Sequence, residues 1–198
     1  MVSRACVLLL IALLAVVAGC FAIKLPEKIV INKPDGSGSK PASLPLPECD
    51  PADIPARASN QRQPLAVLDF QSGENMGADV GPALADLCRD AVQESGQFVL
   101  VDRDRIADVL GERDFAAAVQ CDNAVCLVEY GKVLGARKMM HGRISQLGEV
   151  YVLAVGMTDV ETGEQVSRSA SLPSIEDSTE AVPNLVCQIL RSVVGEEQ

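Results

Sequence analysis

The sequence predicts an α/β domain, a mixed sheet of about five strands with helices packed on it, carried behind a disordered tether. Three observations predict it. Short apolar runs at Leu65–Phe70 and Phe98–Val101 alternate with segments of helical period. Three strand-like segments then follow one another from Lys138 to Ser171, with turn residues between them. Ahead of all this, most of the prolines fall between Phe21 and Pro64, where no repeating apolar face exists to bury.

Taken in order, the chain opens with Arg4 and an apolar run from Val7 to Ala18. Spanning a bilayer takes about 20 residues, so this run is too short for a retained helix. It ends Val17-Ala18-Gly19-Cys20, which resembles a bacterial lipobox. An ordinary secretory signal also has small residues at the cut, but gives no reason for a cysteine there. The resemblance implies a signal peptide over 1–19, cleavage between Gly19 and Cys20, a diacylglyceryl group on Cys20, and a palmitate-type chain on the new amino terminus. Two or more acyl chains hold firmly where one binds marginally. Phe21 stands where an aspartate would signal inner-membrane retention, which implies the outer membrane, facing the periplasm.

Residues 20–64 read as a lipidated, proline-rich, partly polyproline-II tether. Only Lys28-Ile29-Val30-Ile31-Asn32 has the composition of a strand, and it is isolated. As a coil the tether averages about 35–40 Å, and extended it reaches on the order of 140 Å.

The domain occupies 65–196. Leu65–Phe70 is a buried strand, bounded by Pro64 and Ser72-Gly73. A helix from about Ala78 to Ser95 aligns Val80, Leu84, Leu87, Cys88, Ala91 and Val92 on one face, and Gly96 ends it. After the strand Phe98–Val101, Asp102 caps a short helix with Ile106, Val109 and Leu110 inward and a solvated charged side. The next helix runs from Asn123 to Leu134, with Asp122 as the expected N-cap and Gly135 as the stop. That cap places Cys121 and Cys126 at the two positions of a hydrophobic staple, so a disulfide there is a covalent staple worth about 2 kcal/mol. Gly131 inside the helix costs about 1 kcal/mol against alanine, which a close packing contact explains. Strands at 138–146, 149–158 and 164–171 follow, the middle one apolar on both faces as if covered on both sides. A last helix from about Ser174 or Ser178 buries Val186, Ile189, Leu190 and Val193. The order is βαβααβββα.

Five cysteines remain beyond Cys6 and Cys20, an odd number in an oxidising compartment. Cys49 is the natural odd one out. Cys88 and Cys187 sit on inward helix faces, where they either pair or stay as buried thiols; spacing does not decide between these.

The net charge of −10 with no Lys/Arg cluster argues against a nucleic-acid partner. No tryptophan, two tyrosines and one histidine leave little material for stacking platforms or multi-histidine metal sites. Asp69 at a strand end has the placement of a phospho-acceptor or metal ligand, and an ordinary loop carboxylate is the preferred reading. His141 beside Met139 and Met140 reads as a strand residue rather than a copper ligand. Gly77 and Gly81 are too sparse for a phosphate loop. No nucleophile–base spacing stands out. The expectation is a non-enzyme with no cofactor, no metal and no small-molecule substrate; a pocket converging on Asp69 or His141 would reopen the question.

Four stretches together carry a resemblance: Leu65–Phe70, Phe98–Arg103, Leu134-Gly135-Ala136 leading to Gly142–Ser145, and Asp159–Glu164. In that order, behind a lipobox, they resemble the domain shared by the curli-secretion lipoprotein CsgG, the amino-terminal domain of TolB and the penicillin-binding-protein activator LpoB. The resemblance implies that α/β fold. There is no room here for the curli channel's transmembrane hairpins, and the cysteine pair is not part of the activator's pattern. A compact domain on a proline-rich leash is similar to the peptidoglycan-synthase activator. Two functions follow: an adaptor that binds and regulates an envelope assembly machine or peptidoglycan synthase, or an oligomerising component of a secretion or assembly complex. In both, the partners are a membrane through the lipid, and an envelope protein or further copies of the chain.

Overall fold

A computed structural model describes residues 47–196. Gly19, Cys20, the signal segment and most of the tether lie outside the described residues. The strands are β1 (Gln63–Val67), β2 (Gln71–Ser72), β3 (Phe98–Leu100), β4 (Lys138–Leu147), β5 (Val150–Asp159) and β6 (Gln165–Leu172). The helices are α1 (Val80–Ser95), α2 (Arg103–Val119), α3 (Ala124–Leu134) and α4 (Ser178–Glu196). Two 3-10 turns, Pro51–Asp53 and Ser59–Gln61, precede β1. The expected order holds, with the two-residue β2 added.

The sheet runs β3-β1-β4-β5-β6, and β2 pairs with β4 beyond the end of β1. β1 is parallel to β3 and β4, because a helical crossover returns the chain to the same end of the sheet. β4, β5 and β6 are antiparallel and joined by short turns. Gly148 and Gly163 take the positive φ those turns require, 63° and 76°.

Both faces of β1 are buried. Leu65 and Val67 join a core with α1 and α4, centred on Leu84, Cys88, Val92, Leu185, Ile189 and Leu190. Ala66 and Leu68 join a second core with α2 and α3, built from Ile106, Leu110, Leu127, Leu134 and Met139. A strand buried this way needs an unbroken apolar run, which is what made it legible.

Three helical details differ from expectation. Val109 is 47% exposed, since Ile106 and Leu110, four apart, already fill the inward line of α2. Gly111 breaks α2 with φ 71° and ψ 164°, dividing it into two pieces. Asn123, not Asp122, caps α3: its side chain accepts from the Cys126 N–H at 3.0 Å. Cys121 and Cys126 therefore do not occupy the staple positions. Gly131 does pack closely, since a Cβ there would collide with Val160 and Met139.

Residues 47–62, expected as the end of the tether, instead form a strap across α1 and α4. Pro51 and Ile54 are buried. Arg57 N–H donates to Gly96 O at 3.2 Å, and the buried Gln97 amide donates to Pro55 O and accepts from Arg57 Nε. Asn184 Nδ2 donates to Pro47 O at 2.9 Å. The described part of the expected tether, from Pro47 onward, thus belongs to the domain.

Candidate interaction face

The sheet is helix-covered on only part of its second face. Along β4, Met140 and Ile144 point to the α1/α4 core, so Met139, His141, Arg143, Ser145 and Leu147 point the other way. Met139 is covered by the α2/α3 core. Beyond it the register lays out rows: His141–Gly156–Ser167, Arg143–Ala154–Ser169, Ser145–Val152–Ser171, and Leu147–Val150 at the hairpin. Arg143, Ser167, Ser169 and Ser171 are exposed, Leu147 is 71% exposed, and Val150, Val152 and Ala154 are half-buried. β5 does lie between two strands, but among the described residues its second face is buried only toward Gly156 and Thr158, the end at which α3 contacts the strand. Among the described residues the apolar strip Val150–Val152–Ala154 thus lies without helical cover, between polar rails on β4 and β6.

A pocket of about 210 Å³ opens at the covered end of this face, lined by Gln71, Asp122, His141, Arg143, Gly156 and Ser167 among others. The His141 ring lies across Gly156; a Cβ there would sit 2.7 Å from Nε2 and 2.8 Å from Cε1. Burial lowers the His141 pKa below its ordinary 6.5, opposed by Asp122 and reinforced by Arg143. At neutral pH the imidazole is uncharged. Although Ser167, His141 and Asp122 share the pocket, among the described residues no hydrogen bond joins them, so they do not form a relay. The pocket offers a neutral imidazole, a guanidinium, a carboxylate and a hydroxyl, which suits polar groups of a docked protein segment. Among the described residues no cluster of three His, Cys, Asp or Glu is placed to hold a metal.

Asp69 lies elsewhere, at the carboxyl end of β1, and is 7% exposed. Its Oδ1 accepts from Arg89 Nη2 at 3.1 Å and its Oδ2 from Arg103 Nη2 at 2.7 Å. Arg89 also reaches Val67 O at 2.9 Å and Asp86 at 2.6 Å. Both carboxylate oxygens are thus used to hold β1 to α1 and α2. The hydrogen bond to Asp69 raises the Arg103 pKa. Gly81 serves the same junction: a Cβ would strike the Phe70 carbonyl. Sequence reading missed Arg89 and took Arg103 as part of a solvated face.

The family model for the curli production assembly/transport component CsgG matches residues 52–156. The chain belongs to the CsgG family. Solved structures similar to this CsgG-family chain include the LpoB C-terminal domain from Salmonella enterica, 16% identical, covering 60% of this chain and 88% of that one, TM-score 0.45. Lipoprotein GNA1162 from Neisseria meningitidis is 12% identical, with coverage of 68% and 95% and a TM-score of 0.46. TolB from Acinetobacter baumannii is 14% identical over 67% of this chain and 29% of its own, TM-score 0.44. Comparison by sequence with curated proteins returns no match.

In this CsgG-family domain the structure joins Cys121 to Cys126, with Cα atoms 5.9 Å apart. Cys187 is joined not to Cys88 but to Cys49, across 138 residues and a Cα separation of 5.7 Å. Among the described residues Cys88 is the free thiol, wholly buried, its Sγ 3.6 Å from Met140 Sδ, and burial pushes its pKa up to about 12. One signal pointed to Cys49: Asp50-Pro51 is a cap followed by proline at the first helical position. That pattern marks a built turn, and Cys49 sits directly before it.

Proposed function

We propose that the protein is a lipid-anchored periplasmic adaptor that acts by binding, not catalysis. Cys20 carries the lipid in the outer membrane, the chain up to residue 46 is the leash, and the domain docks through its bare half-sheet on an envelope assembly machine or peptidoglycan synthase. The observation that carries this reading is the open strip Val150–Val152–Ala154 with the His141 pocket at its end. Sheet faces of this kind are normally covered, so an uncovered one with apolar and polar groups side by side has the make-up of a transient interface. Among the described residues no helix is long and apolar enough to cross a membrane.

A second reading, an oligomerising component of a secretion or assembly complex, is favoured by the family's curli assembly and transport description and by the exposed Val125 and Val133 on α3, 72% and 61% exposed. A photo-crosslinking residue at Ser169, compared with one at Glu180 on α4, tests both in living cells. A different envelope protein captured from Ser169 alone supports the adaptor. Capture of further copies of the chain alone supports the second reading, and equal capture from both positions sinks the assignment of the face.

A further inference from the structure

The sheet ends in two edges of different kinds. β3 is only three residues long, and a very short strand is one way a free edge is blunted. β6 is eight residues long and pairs with β5 from Tyr151↔Leu172 to Thr158↔Gln165. Among the described residues nothing pairs with its other side. The usual protective devices are sparse there: β6 has no proline, no lysine and no carboxylate, and Arg168 is its single charge. A row of unpaired N–H and C=O groups is a template for one more strand.

The side chains along that edge define what such a strand would carry. Register with β5 places Val166, Arg168, Ala170 and Leu172 on the α1/α4 side, and Ser167, Ser169 and Ser171 on the open face. Arg168 is exposed and donates to Ser167 O at 2.9 Å, and among the described residues it pairs with no carboxylate. The three serine hydroxyls make no hydrogen bond among the described residues. These groups fit a strand that sets an acidic side chain beside Arg168 and apolar ones beside Val166 and Ala170, with hydroxyls or amides toward the serines. A second copy fits poorly. In a two-fold antiparallel pairing with the helices kept on one side, the registers that use most of β6 set Arg168 opposite or diagonal to its own copy.

We propose that β6 takes up an extended partner segment bearing an acidic side chain, as an added antiparallel strand. The run β4–β5–β6 is already antiparallel, and that pairing is the more stable one per residue. Main-chain bonds along the edge supply the affinity, and the two side-chain rows select the sequence. The added strand extends the open face sideways, so one partner engages the edge and the strip Val150–Val152–Ala154 together. That a partner exists rests on the adaptor reading; the competence of the edge does not.

Hydrogen exchange on the purified full-length chain in detergent, with a synthetic strand added, tests this. The probe is the peptide acetyl-Val-Thr-Val-Thr-Glu-Thr-Val-amide, and the control carries lysine in place of its glutamate. At millimolar probe, the β6 amides that point away from β5 are expected to exchange at least about threefold more slowly, with β3 unchanged. The lysine peptide should protect less, and Arg168→Glu should reverse that order. Arg168 is exposed, so the variant keeps its fold, which slow exchange in β4 checks. Equal protection by the two peptides, or none from either, overturns the proposal. So does slow exchange of those amides before any peptide is added: lost on dilution it marks a second copy, and kept it marks an edge already occupied. Failure of the adaptor reading shows separately, as no capture at Ser169 while the glutamate peptide still protects β6.

Discussion

At the scale of single residues, the face and the core depend on a few exact fits. His141 needs Gly156 beneath its ring, and neither residue looks special in the sequence, because the fit is created by cross-strand register. Gly156→Ala is expected to displace the ring at a cost of about 1–3 kcal/mol, read by urea unfolding. The same burial makes a pH prediction. The folded-state pKa of His141 lies below its ordinary 6.5, so the unfolded chain binds the proton more readily. This neutral-histidine contribution is absent as a pH effect above about 6.5, and the fold loses stability as pH falls through 6.5 toward the folded pKa. Proton NMR of the single imidazole checks the direction, and a midpoint above 6.5 contradicts it. Asp69 was legible as a strand-end carboxylate, but its two arginine partners come from separate helices. Asp69→Asn is expected to cost about 2–3 kcal/mol, less than a fully buried pair because Arg103 is half exposed. Unchanged stability would return Asp69 to the list of free functional carboxylates.

At the scale of elements, periodicity made most of the fold readable. The alternation of buried runs with helical faces placed all four helices and every strand except β2, which is too short to carry a pattern. The strap is the instructive failure. Proline density reads as a leash when no apolar face repeats, yet here one buried isoleucine, one capped turn and one disulfide hold the segment down. Isolated anchors have no period, so only the Asp50-Pro51 cap could have marked it. Cys49→Ser opens a link across 138 residues and is expected to cost about 2–4 kcal/mol, more than Cys126→Ser, whose loop is short. Non-reducing thermal unfolding of the two variants decides the order. A chain beginning at residue 63 loses the strap but keeps β1, and should unfold earlier than one beginning at 47. Equal midpoints would show that the strap contributes nothing.

At the scale of the whole molecule, the two helical layers are unequal, and among the described residues no helix covers the outer part of β4, β5 and β6 on one side. Sequence patterning located the strip on β5 as apolar on both faces, but coverage depends on where α2 and α3 come to rest, which local periodicity does not specify. This asymmetry lets substitutions on the face be tested for binding separately from the fold. Ser169 is exposed in the middle of the bare face and supports no packing, so Ser169→Arg should leave unfolding within about 0.5 kcal/mol of the parent. If the face is the docking site, the same substitution removes the crosslinked partner and the activity that depends on it, while Glu180→Arg on the opposite layer removes neither. A bulky cation in a shallow apolar strip costs binding through desolvation and lost contact, not through the fold. Loss of binding together with a large loss of stability would instead mean that the half-sheet is held by something the isolated domain already contains, and the docking surface would then have to be sought on the exposed side of α3.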